Sequence, residues 1–246
     1  MRFHLRNSGS HPTQRPALDD DAAGWIRVHR RPFHDFAVGS LVPVVFERYV
    51  RILHPARAGL EAPVRWDAVA AWSGRTIHAL AQWELLSRPL GEARPGCPFG
   101  QPPADGGLPP EQLVELMNVL AAHTSTPDSC FIGVWEGYGW LDWAEPPPGL
   151  DLRLDQRAFL VRHGPIEDVG HVGWRYPGGR FEPEPPTLVW PSDRAWFLAG
   201  DVDLDSTYIG GSAALVTAVL AQPGLEAWPA DTTDRVSIDS DSINGP

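Results

Sequence analysis

Residues 195–220 read Ala195-Trp196-Phe197-Leu198-Ala199-Gly200-Asp201-Val202-Asp203-Leu204-Asp205-Ser206-Thr207-Tyr208-Ile209-Gly210-Gly211-Ser212-Ala213-Ala214-Leu215-Val216-Thr217-Ala218-Val219-Leu220. An apolar run from Ala195 to Val202 has the length of a strand. Ser212 is a good N-cap for a helix that buries Leu215, Val216 and Val219 and stops at Pro223-Gly224. Working outward, Cys130–Val134, Ala158–Arg162 and Leu188–Trp190 have the composition of further strands. Pro109-Pro110-Glu111 opens a helix with Leu113, Leu116, Met117 and Leu120 on its buried stripe, because proline tolerates the first turn and an acid there suits the helix dipole. Nearer the start, Val45, Tyr49, Ile52 and Leu53 recur at helical spacing and end at His54-Pro55, where proline disfavours continuation. Residues 66–87, with Trp66, Val69, Ala70, Trp72, Ile77, Leu80, Trp83 and Leu86, read as two helical segments broken near Ser73-Gly74. Helices first and strands later predict an α+β fold: a helical N-terminal half packed with a mostly antiparallel sheet and a C-terminal helix.

The rest of the chain sets the boundaries. Residues 1–24 are polar, with Asp19, Asp20 and Asp21 in a row, and read as a flexible leader. Residues 25–228 read as one integrated domain, interrupted by a long loop over 89–110 in which 12 of 22 residues are Pro or Gly. Residues 229–246 read as a polar tail, with Val236 and Ile238 at strand spacing. All 20 basic residues are Arg, and the absence of Lys excludes Schiff-base and pyridoxal chemistry, a Walker lysine and a kinase-type phosphate lysine. Residues 1–100 hold 13 Arg against 9 acids, whereas residues 101–246 hold 7 Arg against 22 acids. Nucleic acid is a poor partner for that acidic part, since phosphate binding needs clustered cations. Met1–Ser10 has no apolar stretch of a signal peptide behind its arginines, and no window approaches a membrane span. A cytoplasmic location with Cys97 and Cys130 reduced is the expectation.

Four groups of residues are candidates for function. If the strand from Ala195 continued to Asp205, Asp201, Asp203 and Asp205 would share one face and repel one another unless a metal or a basic partner sat there. The alternative is a solvated strand end, and the run lacks the Gly and Glu of an EF-hand at Ser206 and Ser212. Gly210-Gly211-Ser212 would present free backbone N–H groups to an anion, or simply make a turn and a cap. No histidine follows Ser212, which excludes an α/β-hydrolase elbow. In Trp135-Glu136-Gly137-Tyr138-Gly139-Trp140, with Trp143 beyond, exposed rings would stack on a ligand or line an apolar pocket; buried, they are core. The nine histidines and two cysteines show no zinc spacing, so neither a metal nor another cofactor is expected. His78 with Glu84 is the first acid–base pair to examine.

Tyr49-Val50-Arg51-Ile52-Leu53-His54-Pro55, His123-Thr124-Ser125-Thr126-Pro127-Asp128, Trp135-Glu136-Gly137 and Trp190-Pro191-Ser192-Asp193-Arg194-Ala195-Trp196 running to Gly210-Gly211-Ser212 resemble stretches of an uncharacterised actinobacterial protein family. The resemblance spans about residues 43–228. It implies a source, a cytosolic compartment and one integrated unit, and carries no activity or catalytic residue. With no complete catalytic constellation in sight, the leading expectation is a non-enzymatic binding or interaction protein of an immunity or regulatory type, with a protein partner. The alternative is a small-molecule binder or enzyme whose aromatic pocket lies beside the acidic strand end.

Overall fold

The computed structural model describes residues 17–59, 62–91, 95–139, 141, 149–176 and 178–245. The chain enters through helices α1 (Asp20–His29) and α2 (Val38–Leu41), then strands β1 (Arg48–Leu53), β2 (Ala56–Ala58) and β3 (Ala62–Val64). Helices α3 (Trp66–Ser73), α4 (Trp83–Leu86) and α5 (Pro110–Ala121) follow. Next come β4 (Cys130–Trp135), β5 (Leu150–Leu154), β6 (Arg157–Gly164), β7 (Gly173–Arg175), β8 (Phe181–Pro183), β9 (Leu188–Pro191), β10 (Phe197–Ala199) and β11 (Ser206–Gly211). Helix α6 (Ala213–Leu220) and β12 (Glu226–Ala230) complete the frame.

Eight strands form one sheet in the order β12-β1-β11-β10-β9-β4-β6-β5, and every neighbouring pair is antiparallel. Strand β1 thus lies between strands contributed by the last third of the chain. Successive side chains alternate between the two faces of a strand, and both faces here are covered. Val50, Ile52, Ile132, Leu198 and Ile209 join a core with α5 and α6. Tyr49, Phe159, Trp190, Phe197 and Tyr208 join another with Ala23 and Ile26 of α1 and Val38 and Leu41 of α2. A third cluster packs Leu53 against Trp66, Val69, Trp83 and Leu86 of α3 and α4.

The fold is α+β, with a larger share of sheet in its first part than the spacing predicts. Tyr49, Ile52 and Leu53 sit in β1, not in a helix. Their positions fit the helical period, but β1 is buried on both faces, and such a run shows no alternation that would mark it as a strand. The strand expected over Ala195–Val202 is only the three residues of β10, because Asp201 accepts the Asp203 N–H at 3.1 Å and turns the chain. Helix α6 starts at the expected cap, where Ser212 Oγ accepts from the Leu215 N–H at 3.2 Å, but it is not terminal, since edge strand β12 follows. Helix α5 matches its predicted stripe, and α3 ends at Gly74, whose φ of 75° suits glycine.

Both ends of the described chain are more ordered than their composition predicts. Asp19 caps α1 by accepting the Asp21 N–H at 3.0 Å, and the Leu18 N–H donates to Asp151 O at 2.8 Å. The leader therefore gives way to structure before residue 24. At the other end, the supposed tail contributes part of β12, and the buried Asp241 carboxylate accepts from the Gln82 N–H, the Asn244 N–H and the His78 Nε2. Burial works to raise this carboxyl, but the donors from Asn244, Gln82 and His78 outweigh it and hold it below the usual carboxylate range. The expected His78–Glu84 pair is not made: His78 pairs with Asp241, and Glu84 with Arg88 at 3.1 Å. Replacing Asp241 by alanine is expected to lower the unfolding free energy by about 1–3 kcal/mol, because buried donors lose their acceptor. Urea unfolding, with limited proteolysis to see the tail released, measures it; an unchanged midpoint would contradict the clasp.

The neighbouring Asp193 and Arg194 side chains are engaged separately. The Asp193 carboxylate accepts from Thr124 Oγ1, the Ser125 N–H and the Ser125 hydroxyl. Arg194 donates to Asp21 O and lies 5.6 Å from the Trp25 ring centroid.

Candidate functional site

Strands β5 and β6 are joined by the two residues Asp155 and Gln156, with Leu154 facing Arg157 across the ladder. So tight a hairpin needs a positive φ, and Asp155 supplies it at 54°. The turn places Asp155 and Arg157 at one end of the sheet, beside the β10–β11 connection that carries Asp201 and beneath the segment between α1 and α2. These three segments enclose a cavity of about 680 Å³.

Two guanidinium groups face it. Arg157 lies between aromatic rings, 5.0 Å from the Phe33 centroid and 5.4 Å from that of Trp135. It pairs with Asp201 and reaches Asp203 at 3.5 Å. Arg30 donates through Nε to Ser40 O at 2.9 Å, and its Nη1 lies 3.7 Å from Asp155 Oδ2. The Arg30 side chain is only 11% exposed, whereas its nearest carboxylate is 46% exposed. Burial lowers the Arg30 pKa from its ordinary value: Asp155 and Asp201 oppose that effect without cancelling it, and Arg157 adds to it. A guanidinium stays protonated under such pressure, so the result is a cation whose desolvation is incompletely compensated. Leu41, Phe159 and Leu188 supply an apolar wall.

Of the residues singled out by sequence, Trp135 and Asp201 meet here through Arg157, and Asp203 lies at the rim with its side chain 80% exposed. Tyr138 packs edge-on against Trp135 at 5.6 Å. Glu136 continues from β4, its N–H donating to Ala158 O at 2.9 Å. Trp140 and Trp143 lie outside the described residues. Asp205 points elsewhere, 3.6 Å from the buried Arg51, and burial raises its carboxyl despite that cation and the Ser206 hydroxyl. The three aspartates therefore do not form a row on one strand face. Among the described residues, no group of three or more His, Cys, Asp or Glu is placed to hold a metal ion.

Gly210-Gly211-Ser212 is a packing device and not an anion cradle. A Cβ on Gly210 would collide with Phe46 and come within 2.9 Å of Tyr49 Cε1, so glycine here admits aromatic rings to the sheet surface. The start of α6 is already served by Ser212 and by Glu47 Oε2, which accepts the Ala213 N–H at 2.9 Å. Sequence reading missed Arg30, Phe33, Asp155, Arg157 and Thr187. The available signal was the short Asp155-Gln156 interruption between two strand-like runs. Thr187 Oγ1 accepts the Trp135 N–H at 3.1 Å and fixes the end of β4.

Cys130 is buried, its thiol pushed up to about 12 by burial and then by Asp193, Glu167 and Asp128, which makes it a poor nucleophile. Among the described residues no helix is long and apolar enough to cross a membrane. The chain matches no family model, no curated protein and no solved structure.

Proposed function

We propose that the protein is a binding protein for small organic oxyanions, molecules bearing a carboxylate or phosphate on an apolar body, held in the cavity beneath α1 and α2. The observation that carries this reading is Arg30, nearly buried at the cavity wall, bonded to Ser40 O, with its nearest carboxylate, Asp155, 3.7 Å away and 46% exposed. An anion entering beside it would complete the charge compensation, while its apolar part would displace water from Leu41, Phe159 and Leu188. Arg157, already neutralised by Asp201, would act mainly as a flat wall stacked between two rings. Apart from Gln156, Thr187 and the exposed His34 ring, the side chains lining the cavity are ion-paired or apolar, and Thr187 Oγ1 accepts the Trp135 N–H, which favours binding over covalent catalysis. A protein partner recognised by a row of Asp201, Asp203 and Asp205 has less support, since the three share no strand face and each has an arginine of this chain beside it.

Isothermal titration with phenylacetate, phenyl phosphate and neutral 2-phenylethanol tests the proposal. One or both anions are expected to bind more than about tenfold tighter than the alcohol, a difference of roughly 1.4 kcal/mol. Arg30→Met, which keeps the apolar stem, should remove that preference. Equal binding of the alcohol, or no heat from either anion at millimolar concentration, would rule the reading out.

A further inference from the structure

A second concavity, of about 450 Å³, lies on the opposite face of the sheet, between α5, the 3-10 turn Ile166–His171 and the segment running on from β8. Its walls are apolar: Leu113, Val114 and Met117 from α5, Val169 from the turn, and Phe181 and Pro185 from the β8 side. Val114 is 56% exposed on an otherwise well-packed helix, so part of this surface meets solvent without an apolar cover. Two charged side chains line it, Glu167 and Glu184, and no arginine does. Among the described residues neither carboxylate has an ion-pair partner, whereas the neighbouring Glu182 is taken by Arg180. Burial and then Glu182 raise the Glu184 carboxyl, as expected for an acid held against apolar walls beside a like charge. The surrounding part of the chain, residues 101–246, carries 22 acids against 7 arginines, and that field draws cations toward the groove.

We propose that this groove is a binding site for small amphiphilic cations, an alkyl- or arylalkylammonium whose chain lies along α5 and whose ammonium meets Glu184. The volume falls within the range of small-molecule pockets, about 300–1,000 Å³. The sign of the ligand follows from the carboxylates: an anion of the same shape would add a third like charge to a low-dielectric wall, while a cation relieves the repulsion already there. This site is independent of the one beneath α1 and α2. Its charge preference is opposite, so a single set of matched ligands separates the two.

The test is isothermal titration of the full chain with n-octylammonium chloride, sodium octanoate and 1-octanol below their aggregation limits, in the wild type and three variants. Octylammonium is expected to bind at least about tenfold tighter than octanoate to the groove, a margin of roughly 1.4 kcal/mol. Glu184→Gln, a near-isosteric surface change, should bring cation and alcohol to within about threefold of each other, or roughly 0.6 kcal/mol. Gly170 lines the groove, and a Cβ there meets no atom within 4 Å. Gly170→Phe should therefore fill the space and abolish octylammonium binding without lowering the thermal midpoint. Arg30→Met should leave octylammonium binding unchanged. Absence of octylammonium binding at 5 mM, equal affinity for octanoate in the Arg30→Met background, or undiminished binding to Gly170→Phe would each overturn the assignment.

Discussion

Replacing Arg51 by alanine is expected to lower the unfolding free energy by about 3–5 kcal/mol, the usual cost of leaving a buried charge without its partner. Arg51 occupies the middle of β1 with its side chain 4% exposed. Its Nε donates to Ser206 Oγ at 2.9 Å, and its Nη1 donates to Ala79 O at 3.0 Å and Ala81 O at 2.8 Å. The remaining nitrogen faces Asp205, and the guanidinium carbon lies 5.6 Å from the Trp66 ring centroid. Truncation strands Asp205, whose carboxyl burial already raises, and leaves two carbonyls without a donor. Asp205→Asn in the same background should recover part of the loss, because the stranded group is then neutral. Urea unfolding of the two single variants and the double variant measures the coupling. A loss below about 1 kcal/mol for Arg51→Ala would mean that water reaches the site and solvates the carboxylate.

Acidification is expected to remove about 3 kcal/mol of stability through His54 alone between pH 6.5 and about 4. His54 is fully buried. Its Nδ1 lies 2.8 Å from Ala104 O and its Nε2 lies 2.9 Å from Thr207 Oγ1. A carbonyl only accepts, so Nδ1 carries the proton and Nε2 accepts from the Thr207 hydroxyl, which satisfies the neutral ring completely. Burial, with Arg51 adding to it and the Ala104 carbonyl opposing, lowers its pKa from 6.5 to about 4. The unfolded chain therefore binds a proton between those values that the native state refuses. The contribution is fully present above pH 6.5 and is lost as pH falls toward 4. Asp205 and Glu226 have raised carboxyl pKa values, caused first by burial. Their native forms hold protons longer, and their effect runs in the opposite direction. Both remain in His54→Gln, so the difference between wild type and variant across the pH series isolates the histidine. A difference that does not change with pH would show that the ring titrates normally in the fold.

How much of this was legible before the structure depends on the kind of signal. Helix α5 was readable because its prolines, first-turn acid and four-residue buried stripe all point the same way. Helix α6 was readable from Ser212 and its apolar run. β1 was not, because Tyr49, Ile52 and Leu53 fall at helical spacing while a strand buried on both faces shows no alternation, and only its pairing with β11 and β12 makes it a strand. The aspartates were misplaced for the converse reason. Asp201-Val202-Asp203-Leu204-Asp205 alternates as a strand does, yet an aspartate side chain that accepts its own downstream N–H competes with a ladder, and here the turn wins. Trp135 and Asp201 both contact Arg157 at the cavity, but the arginine that joins them is an ordinary residue in sequence.

By itself the sequence determined what local chemistry can determine: the starts of α5 and α6 and the end of α3, the irregular loop over 89–110, the chemistry excluded by the absence of lysine, and the acidic bias of residues 101–246. Those depend on neighbours a few positions apart, where capping, proline geometry and composition act directly. Tertiary structure alone decided the strand order, the insertion of β1 between two late strands, the clasp of Asp241 on His78 and Gln82, and the meeting of Arg30, Arg157 and Asp201 at one cavity. Each joins residues far apart along the chain, and their energies depend on burial and on the partner found there. No local pattern carries that information, because the same aspartate or arginine is a solvated surface charge in one fold and a buried, partnered one in another.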